Sequence, residues 1–432
     1  MNLRLLCLTT ASDKAAVEEI LTDRVGWGHS RRWVDTLVVS SEYASSAEKL
    51  QTHVKTILRT EPSVALVAAI GAGCPYSYLN LAGVAFQKFS SAQEFRRGAA
   101  VFLRNNRLDA ASYVVSEVAA KYGRTPLTFE RIDRWVDQFQ KFGQFDWVAR
   151  GLLSNLTVLS TSDLVDRLVP NRLHALNYEA VCFEFDDNED VSSGRTLQEA
   201  IAFEFRDKAE NLRPNLERAE IGISRAANGA SLILEDCAIS GYEFRSLMDK
   251  YWPESTSGAD PARLHRLVFR YAAISNGVEF VLPNLARDRG LQNVRFEFED
   301  SYVVNAFSTQ GLEALRNGKF YGDDGTPRFL TYLHPGVFEP SNNLDNNRAK
   351  TAKRICFKIG GQAYNSWHSR KYGNKSRMPE EKKKLAGLGV GGHALALVLG
   401  KHVPKSSLPV FWCNGEVRPV RQTAFEWMPL FA

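Results

Sequence analysis

The segment Ser231-Leu232-Ile233-Leu234-Glu235-Asp236-Cys237-Ala238-Ile239-Ser240-Gly241-Tyr242-Glu243 brings together residue types that can bind a sugar and a phosphate side by side. An apolar run stops at two adjacent acids, and a Ser-Gly turn follows. A short buried strand ending in carboxylates presents them to sugar hydroxyls, while the turn offers backbone N–H groups and a hydroxyl to a phosphate. A helix expected from Tyr242 to Tyr251 would aim its positive N-terminal dipole at the same phosphate. The plainer reading of these residues is a buried strand that ends in a helix-capping acid pair.

Two further segments carry residues for related chemistry. Asp190-Val-Ser192-Ser193-Gly194-Arg195-Thr196 is the candidate pyrophosphate loop, because small residues let phosphate approach closely and Arg195 can pair with it in bidentate fashion. A helix-capping loop explains the same pattern equally well. The acids just before it, with Asp186 and Asp187 foremost, are candidate holders of Mg²⁺, since hard divalent ions take oxygen ligands and bridge protein to phosphate. A solvated acidic loop is the alternative. The second segment is basic: residues 341–384 hold twelve Lys or Arg against three Asp or Glu, interleaved with Tyr364, Trp367, His368 and Tyr372. Around Arg370 and Lys371 it reads as a mobile lid over pyrophosphate, as a grip on single-stranded nucleic acid, or as a solvated loop.

These residues need a scaffold. The first 120 residues alternate strands (Leu3 to Leu8, Trp33 to Val39, Val64 to Ile70) with helices (about Asp13 to Leu21 and Ala47 to Leu58), an α/β pattern. Helical spacing follows from Phe89 to Tyr122, and Lys121-Tyr-Gly-Arg-Thr-Pro126 punctuates a boundary. From Thr128 to Leu168 the stripe Ile132, Trp135, Val136, Phe139, Phe142, Phe145, Trp147 and Val148 predicts a helical cap or bridge packed as core, with no ligand. Strand and helix then alternate again: strand Glu179 to Phe185, helix Thr196 to Glu210, strand Ser231 to Leu234, helix Tyr242 to Tyr251 and strand His265 to Ala273. Val278 to Leu282 and Val294 to Phe298 read as more β structure. The expected organisation is an N-terminal α/β domain over 1–120, a helical segment over 121–170, and a mostly parallel sheet with flanking helices over 171–432. Ligands of such sheets bind beyond the carboxyl ends of the strands.

Composition narrows the class. Hydrophobic residues at 44%, charged at 24% and aromatic at 11% fit an ordinary globular chain long enough for two or three domains. Six scattered cysteines, none at metal-ligand spacing, fit a reducing cytoplasm. The net charge of +5 is too mild to imply nucleic-acid binding by itself. No apolar segment approaches membrane-span length, so no membrane insertion is expected. There is no G-x-S-x-G elbow, Walker lysine motif or H-E-x-x-H. Gly387-Leu-Gly389-Val-Gly391-Gly392 matches a bare GxGxxG, but charged Glu380 to Lys384 stand where a strand is required. The eight histidines are dispersed and read as structural.

Set between strand and helix, Leu232 to Gly241 resembles the PRPP-binding motif of type I phosphoribosyltransferases. The resemblance implies that Glu235 and Asp236 bind the ribose 2′ and 3′ hydroxyls, and that Ala238, Ile239, Ser240 and Gly241 cradle the 5′-phosphate. It also implies PRPP, or a related nucleotide, with Mg²⁺ as ligand. Tyr242 and Glu243 depart from the family, which carries a second Thr there. The tail, with Ala386-Gly-Leu-Gly-Val-Gly-Gly-His393, Val403-Pro404 through Trp412, and Trp427-Met-Pro429-Leu-Phe431, resembles the PRTase-CE group, divergent phosphoribosyltransferase-like proteins of bacterial conflict systems, some encoded beside reverse transcriptases in retrons. That resemblance covers about 128–432 and implies an antiphage effector, with Glu235 and Asp236 from the motif, and Arg195 from the candidate pyrophosphate loop, as the expected catalytic residues. A degenerate subunit that senses a nucleotide or binds nucleic acid, within a complex assembled through residues 1–120, is the other reading.

Overall fold

The computed structural model describes residues 4–27, 34–38, 46–60, 64–71, 85–124, 126–170, 178–184, 193–206, 215–218, 230–251, 266–291, 293–307, 309–318, 336–338, 345–373, 386–389, 392–420 and 422–431. The chain opens with β1 (Arg4–Thr9), α1 (Lys14–Val25), β2 (Val34–Val38), α2 (Ala47–Thr60), β3 (Val64–Ile70), β4 (Ala85–Phe89) and α3 (Ala92–Asn105). The four strands form a parallel sheet in the order β2-β1-β3-β4. Side chains alternate across it, as a period of two requires. Leu5, Cys7, Leu66, Ala68 and Ile70 pack on one face with α1 and α3, and Leu6, Leu8, Val67 and Ala69 pack on the other with Leu50 and Val54 of α2. The β4 strand, which apolar patterning does not pick out, completes this sheet.

Next come α4 (Ala110–Tyr113), a π-turn over Val114–Val118, α5 (Ala119–Tyr122), α6 (Phe129–Gln140), α7 (Asp146–Ser154), β5 (Thr157–Leu159) and α8 (Thr161–Leu168). The expected aromatic stripe is core: Ile132, Trp135, Val136 and Phe139 are buried. What covers them is the far end of the chain. Val410 O accepts both indole N–H groups, from Trp135 at 3.0 Å and Trp427 at 3.1 Å, and Arg131 donates to Leu430 O and Pro429 O.

The second sheet contains β6 (Ala180–Phe183), β7 (Leu216–Arg218), β8 (Ala230–Ala238), β9 (Arg266–Ser275), β10 (Val294–Glu297) and β11 (Tyr302–Val304), interleaved with α9 (Ser193–Glu204), α10 (Tyr242–Tyr251), α11 (Val278–Asp288) and α12 (Thr309–Arg316). Its order is β10-β9-β8-β6-β7, with β11 beside β9, and every pairing is parallel. Burial on both faces explains why β6, β8 and β9 read as continuous apolar runs rather than alternating ones. The fold class is therefore mixed α/β with mostly parallel sheets.

Three sequence expectations need correction here. Val278 to Leu282 is helical, because Val278, Val281, Leu282, Leu285 and Ala286 form a three- and four-step stripe against the sheet core. Thr157–Leu159, expected as helix, is a strand. The basic segment is helical as far as Tyr372 rather than a loop there: α13 (Asn346–Tyr372) buries Ile355, Cys356, Ile359, Ala363 and Tyr364 in the same core as α6 and α7, and its remainder, 374–384, lies outside the described residues.

The chain closes with β12 (Leu397–Leu399), β13 (Gly415–Val417) and β14 (Phe425–Trp427). β12 pairs parallel with β5, and this two-stranded ribbon stands between two cores. Leu159, Leu395, Leu397 and Leu399 face the six-stranded sheet, whereas Val158, Ala394, Ala396 and Val398 face the helical core. Strand alternation thus lets one short ribbon serve both. Gly387 and Gly389 serve packing: a Cβ on Gly387 would lie 2.7 Å from Phe357 O, and one on Gly389 would lie 2.4 Å from Ser406 O.

Candidate functional site

In the order β10-β9-β8-β6-β7 the chain runs from β6 outward to β7, then returns to the other side of β6 as β8. The carboxyl ends of β6 and β8 therefore flank a topological switch point, where open α/β sheets form their ligand crevice. Register sharpens the place. The last β6–β8 partners are Cys182 and Ile233, yet β8 continues to Ala238 along β9, with Glu235 opposite Tyr271 and Cys237 opposite Ala273. The strand does not stop at the acids, as the sequence suggests. Instead Glu235, Asp236 and Cys237 form an extension paired on its β9 edge, beyond the end of β6.

Because the acids are consecutive in a strand, they point to opposite faces of the sheet. Asp236 is buried at 5% exposure, and Glu235 is half-buried. On the Glu235 face, burial together with the neighbouring charges of Asp236, Glu243 and Glu184 pushes its carboxyl well above the usual carboxylate range. Burial, Glu235 and Glu243 likewise push the Tyr271 phenol well up. On the Asp236 face the partner comes from the C-terminal segment: His402 Nε2 lies 2.5 Å from Asp236 Oδ2. Burial by itself would raise Asp236, but the charge and hydrogen bond of His402, with the thiol and amide of Cys237, hold it below the usual range. The two adjacent acids are thus pushed in opposite directions. Such a split between adjacent carboxyl groups is a common arrangement where the two have different tasks.

His402 is held by local geometry. Its backbone N–H donates to Leu399 O, Leu399 N–H donates to His402 O, and Gly400, at φ +54°, donates to Leu159 O at 2.7 Å. The β5–β12 ribbon thereby delivers a residue of the tail to the end of β8.

The turn after β8 is also fixed. Ser275 Oγ donates to Ile239 O at 2.6 Å, and Gly241 takes φ +75° before α10 begins. A Cβ on Gly241 would lie 3.0 Å from Val281 Cγ1 and 3.1 Å from Leu285 Cδ1, so tight packing on α11 as well as backbone conformation disfavours a side chain. Ser240 is half-buried and Ala238 and Ile239 are buried, which brings the expected phosphate turn directly beyond the acids. Glu243 is an exposed first-turn residue of α10.

The remaining candidates divide. Asp186 and Asp187 lie outside the described residues, as do Asp190 to Ser192. Ser193, Gly194 and Arg195 form the first turn of α9 after β6, with Gly194 buried and Arg195 exposed. Arg370 binds Glu426 at 2.9 Å and Asn414 O at 2.5 Å on α13, and Lys371 lies over the Trp367 ring. Both belong to the helical core's surface, whereas the acids belong to the six-stranded sheet. Sequence reasoning misses His402 and Tyr271. No spacing links either to the acid pair, and only pairing with β9 and the return of the tail brings them there.

The PRTase-CE family matches residues 132–432, from α6 to the C-terminus. The chain belongs to the PRTase-CE family. Its name points to a phosphoribosyltransferase-like domain, and the match takes in the six-stranded sheet, the ribbon and most of the helical core but not the N-terminal sheet. Neither a curated protein nor a solved structure matches the chain. Among the described residues no helix is long and apolar enough to cross a membrane.

Proposed function

We propose that the carboxyl end of β8 binds a phosphoribosyl group, as PRPP or a related nucleotide. The observation that carries this reading is the position of Glu235, Asp236 and the Ser240-Gly241 turn beyond the end of β6, at the switch point, in a member of the PRTase-CE family. The carboxyl of Glu235 would hydrogen-bond a ribose hydroxyl. The turn from Ala238 to Gly241 and the start of α10 would receive the 5′-phosphate, where amide N–H groups and the helix dipole favour negative charge. Arg195, in the first turn of the helix after β6, would meet the pyrophosphate.

Mg²⁺ enters this proposal as the companion of the pyrophosphate. Asp186 and Asp187, which lie outside the described residues, are its candidate protein ligands. The role in bacterial conflict that the resemblance implies, retron association included, belongs to the same proposal. So does the N-terminal parallel sheet as the part that binds a partner.

A second reading, binding without transfer, is favoured by the engagement of Asp236 with His402 and by the acidity around Glu235. Calorimetric titration of PRPP with Mg²⁺ into the wild type and Glu235→Ala separates the possibilities. Binding that weakens in the variant, with transfer to any of a panel of bases, supports the enzyme. Binding without turnover supports the sensor, and absence of wild-type binding refutes the phosphoribosyl reading.

A further inference from the structure

The charges of Asp236, Glu243 and Glu184 bear on Glu235 at a site that, on the phosphoribosyl reading above, must accept a strongly anionic ligand. The basic partner of Asp236 is His402, which reaches it from the turn after β12. We infer that His402 is the charge-setting residue of this site: held against Asp236 by the C-terminal segment, it cancels the buried carboxylate and makes the strand end tolerant of phosphoryl groups. This inference rests on that reading for its ligand, but the Asp236–His402 contact can be tested without one.

The argument is electrostatic and geometric. Asp236 sits at 5% exposure, where an unpaired carboxylate would carry a large desolvation cost. The groups that act on it are His402 from the β12 turn and the thiol and amide of Cys237 beside it on β8, while Glu243 and Glu184 act on Glu235, whose side chain leaves the other face of the strand. Without His402 every neighbouring charge among these is negative. The Cys237 thiol, pushed well up by burial and by these acids, supplies a hydrogen bond and no charge. His402 acts through Asp236 and is therefore a positioning residue.

The test uses the full chain and the variant His402→Gln, which keeps an N–H donor but removes the charge. Calorimetry with Mg²⁺ compares PRPP, ribose 5-phosphate and ribose. The expected loss for PRPP is about ten- to a hundredfold, the scale of one charged hydrogen-bonding partner, and the loss should shrink as ligand charge falls from PRPP to ribose. Equal losses for all three ligands, unchanged affinity, or tighter PRPP binding would overturn the inference, the last by making His402 a plug rather than a charge partner.

Thermal unfolding against pH supplies the readout that needs no ligand. Asp236 is depressed in the folded wild type, so its contribution is present above the unfolded carboxylate range, near about pH 4, and is lost as pH falls through its folded value. His402→Gln should therefore melt several degrees below wild type at neutral pH, with the gap closing in acid. Asp236→Asn combined with His402→Gln should close the gap at every pH and recover most of the PRPP affinity lost in His402→Gln, because no unpaired carboxylate remains. If wild type binds no sugar phosphate, the functional reading fails by itself. A pH-independent melting gap would then refute the Asp236–His402 coupling, and a gap that closes in acid would sustain it.

Discussion

Replacing Gly241 with Ala separates two reasons for a glycine in the turn beyond the acids. If it were there only to let a phosphate approach, Ala would weaken ligand binding and leave the fold intact. The structure argues for a fold requirement. Gly241 lies at φ +75°, and its absent Cβ would press on Val281, Leu285 and Leu282 at 3.0 to 3.2 Å. The left-handed conformation costs a non-glycine residue about 1–2 kcal/mol, and overpacking against three apolar side chains of α11 adds about 1–3 kcal/mol. The expected destabilisation is therefore about 2–4 kcal/mol after partial relaxation, read from urea unfolding followed by circular dichroism. Shortening Val281 to Ala removes the nearest of the three contacts. Gly241→Ala should consequently cost about 1 kcal/mol less in a Val281→Ala background. A loss within about 0.5 kcal/mol of zero, the scale of an ordinary surface substitution, would refute the packing argument.

Other perturbations test the remaining framework. Trp135→Ala removes a buried ring stacked on Phe411 and a hydrogen bond to Val410 O, and should cost about 3–5 kcal/mol in chemical denaturation; Trp135→Phe should cost clearly less. Arg270, buried in β9, donates to Glu297 and to Leu168 O, so Arg270→Met should destabilise by about 3 kcal/mol. Pairing it with Glu297→Leu should recover most of that loss, because no unpaired carboxylate remains. Asp163 completes the capping box of α8 with Ser160. Burial would raise its carboxyl, but the Ser160 N–H and hydroxyl hold it below the usual range, so Asp163→Asn should lower the melting temperature at neutral pH and lose its effect as pH falls through the depressed value.

Much of the candidate site is legible in the amino-acid sequence, and the reasons are local. Ile233 and Leu234 followed by Glu235 and Asp236, then Ser240-Gly241, specify a strand, a turn and a helix by composition alone, and all three are present. The aromatic spacing of α6 identifies core because every third or fourth side chain has to share a face. The failures also have physical causes. Val278 to Leu282 is too short a window to tell strand from helix, and charge around Arg370 cannot reveal that Ile355, Ile359 and Ala363 bury the opposite face of one long helix.

By itself, then, the sequence determined the local elements, the alternation that makes parallel sheets, and the residue types able to meet ribose and phosphate. Tertiary structure decided which of them act together. Only sheet order puts β8 beside β6 and leaves Glu235 and Asp236 projecting past its end. Only the pairing of β12 with β5 carries His402 to Asp236. Periodicity is set by neighbours along the chain, whereas the charge of a buried carboxylate is set by whatever the fold brings against it, and here that partner comes from the far C-terminal segment.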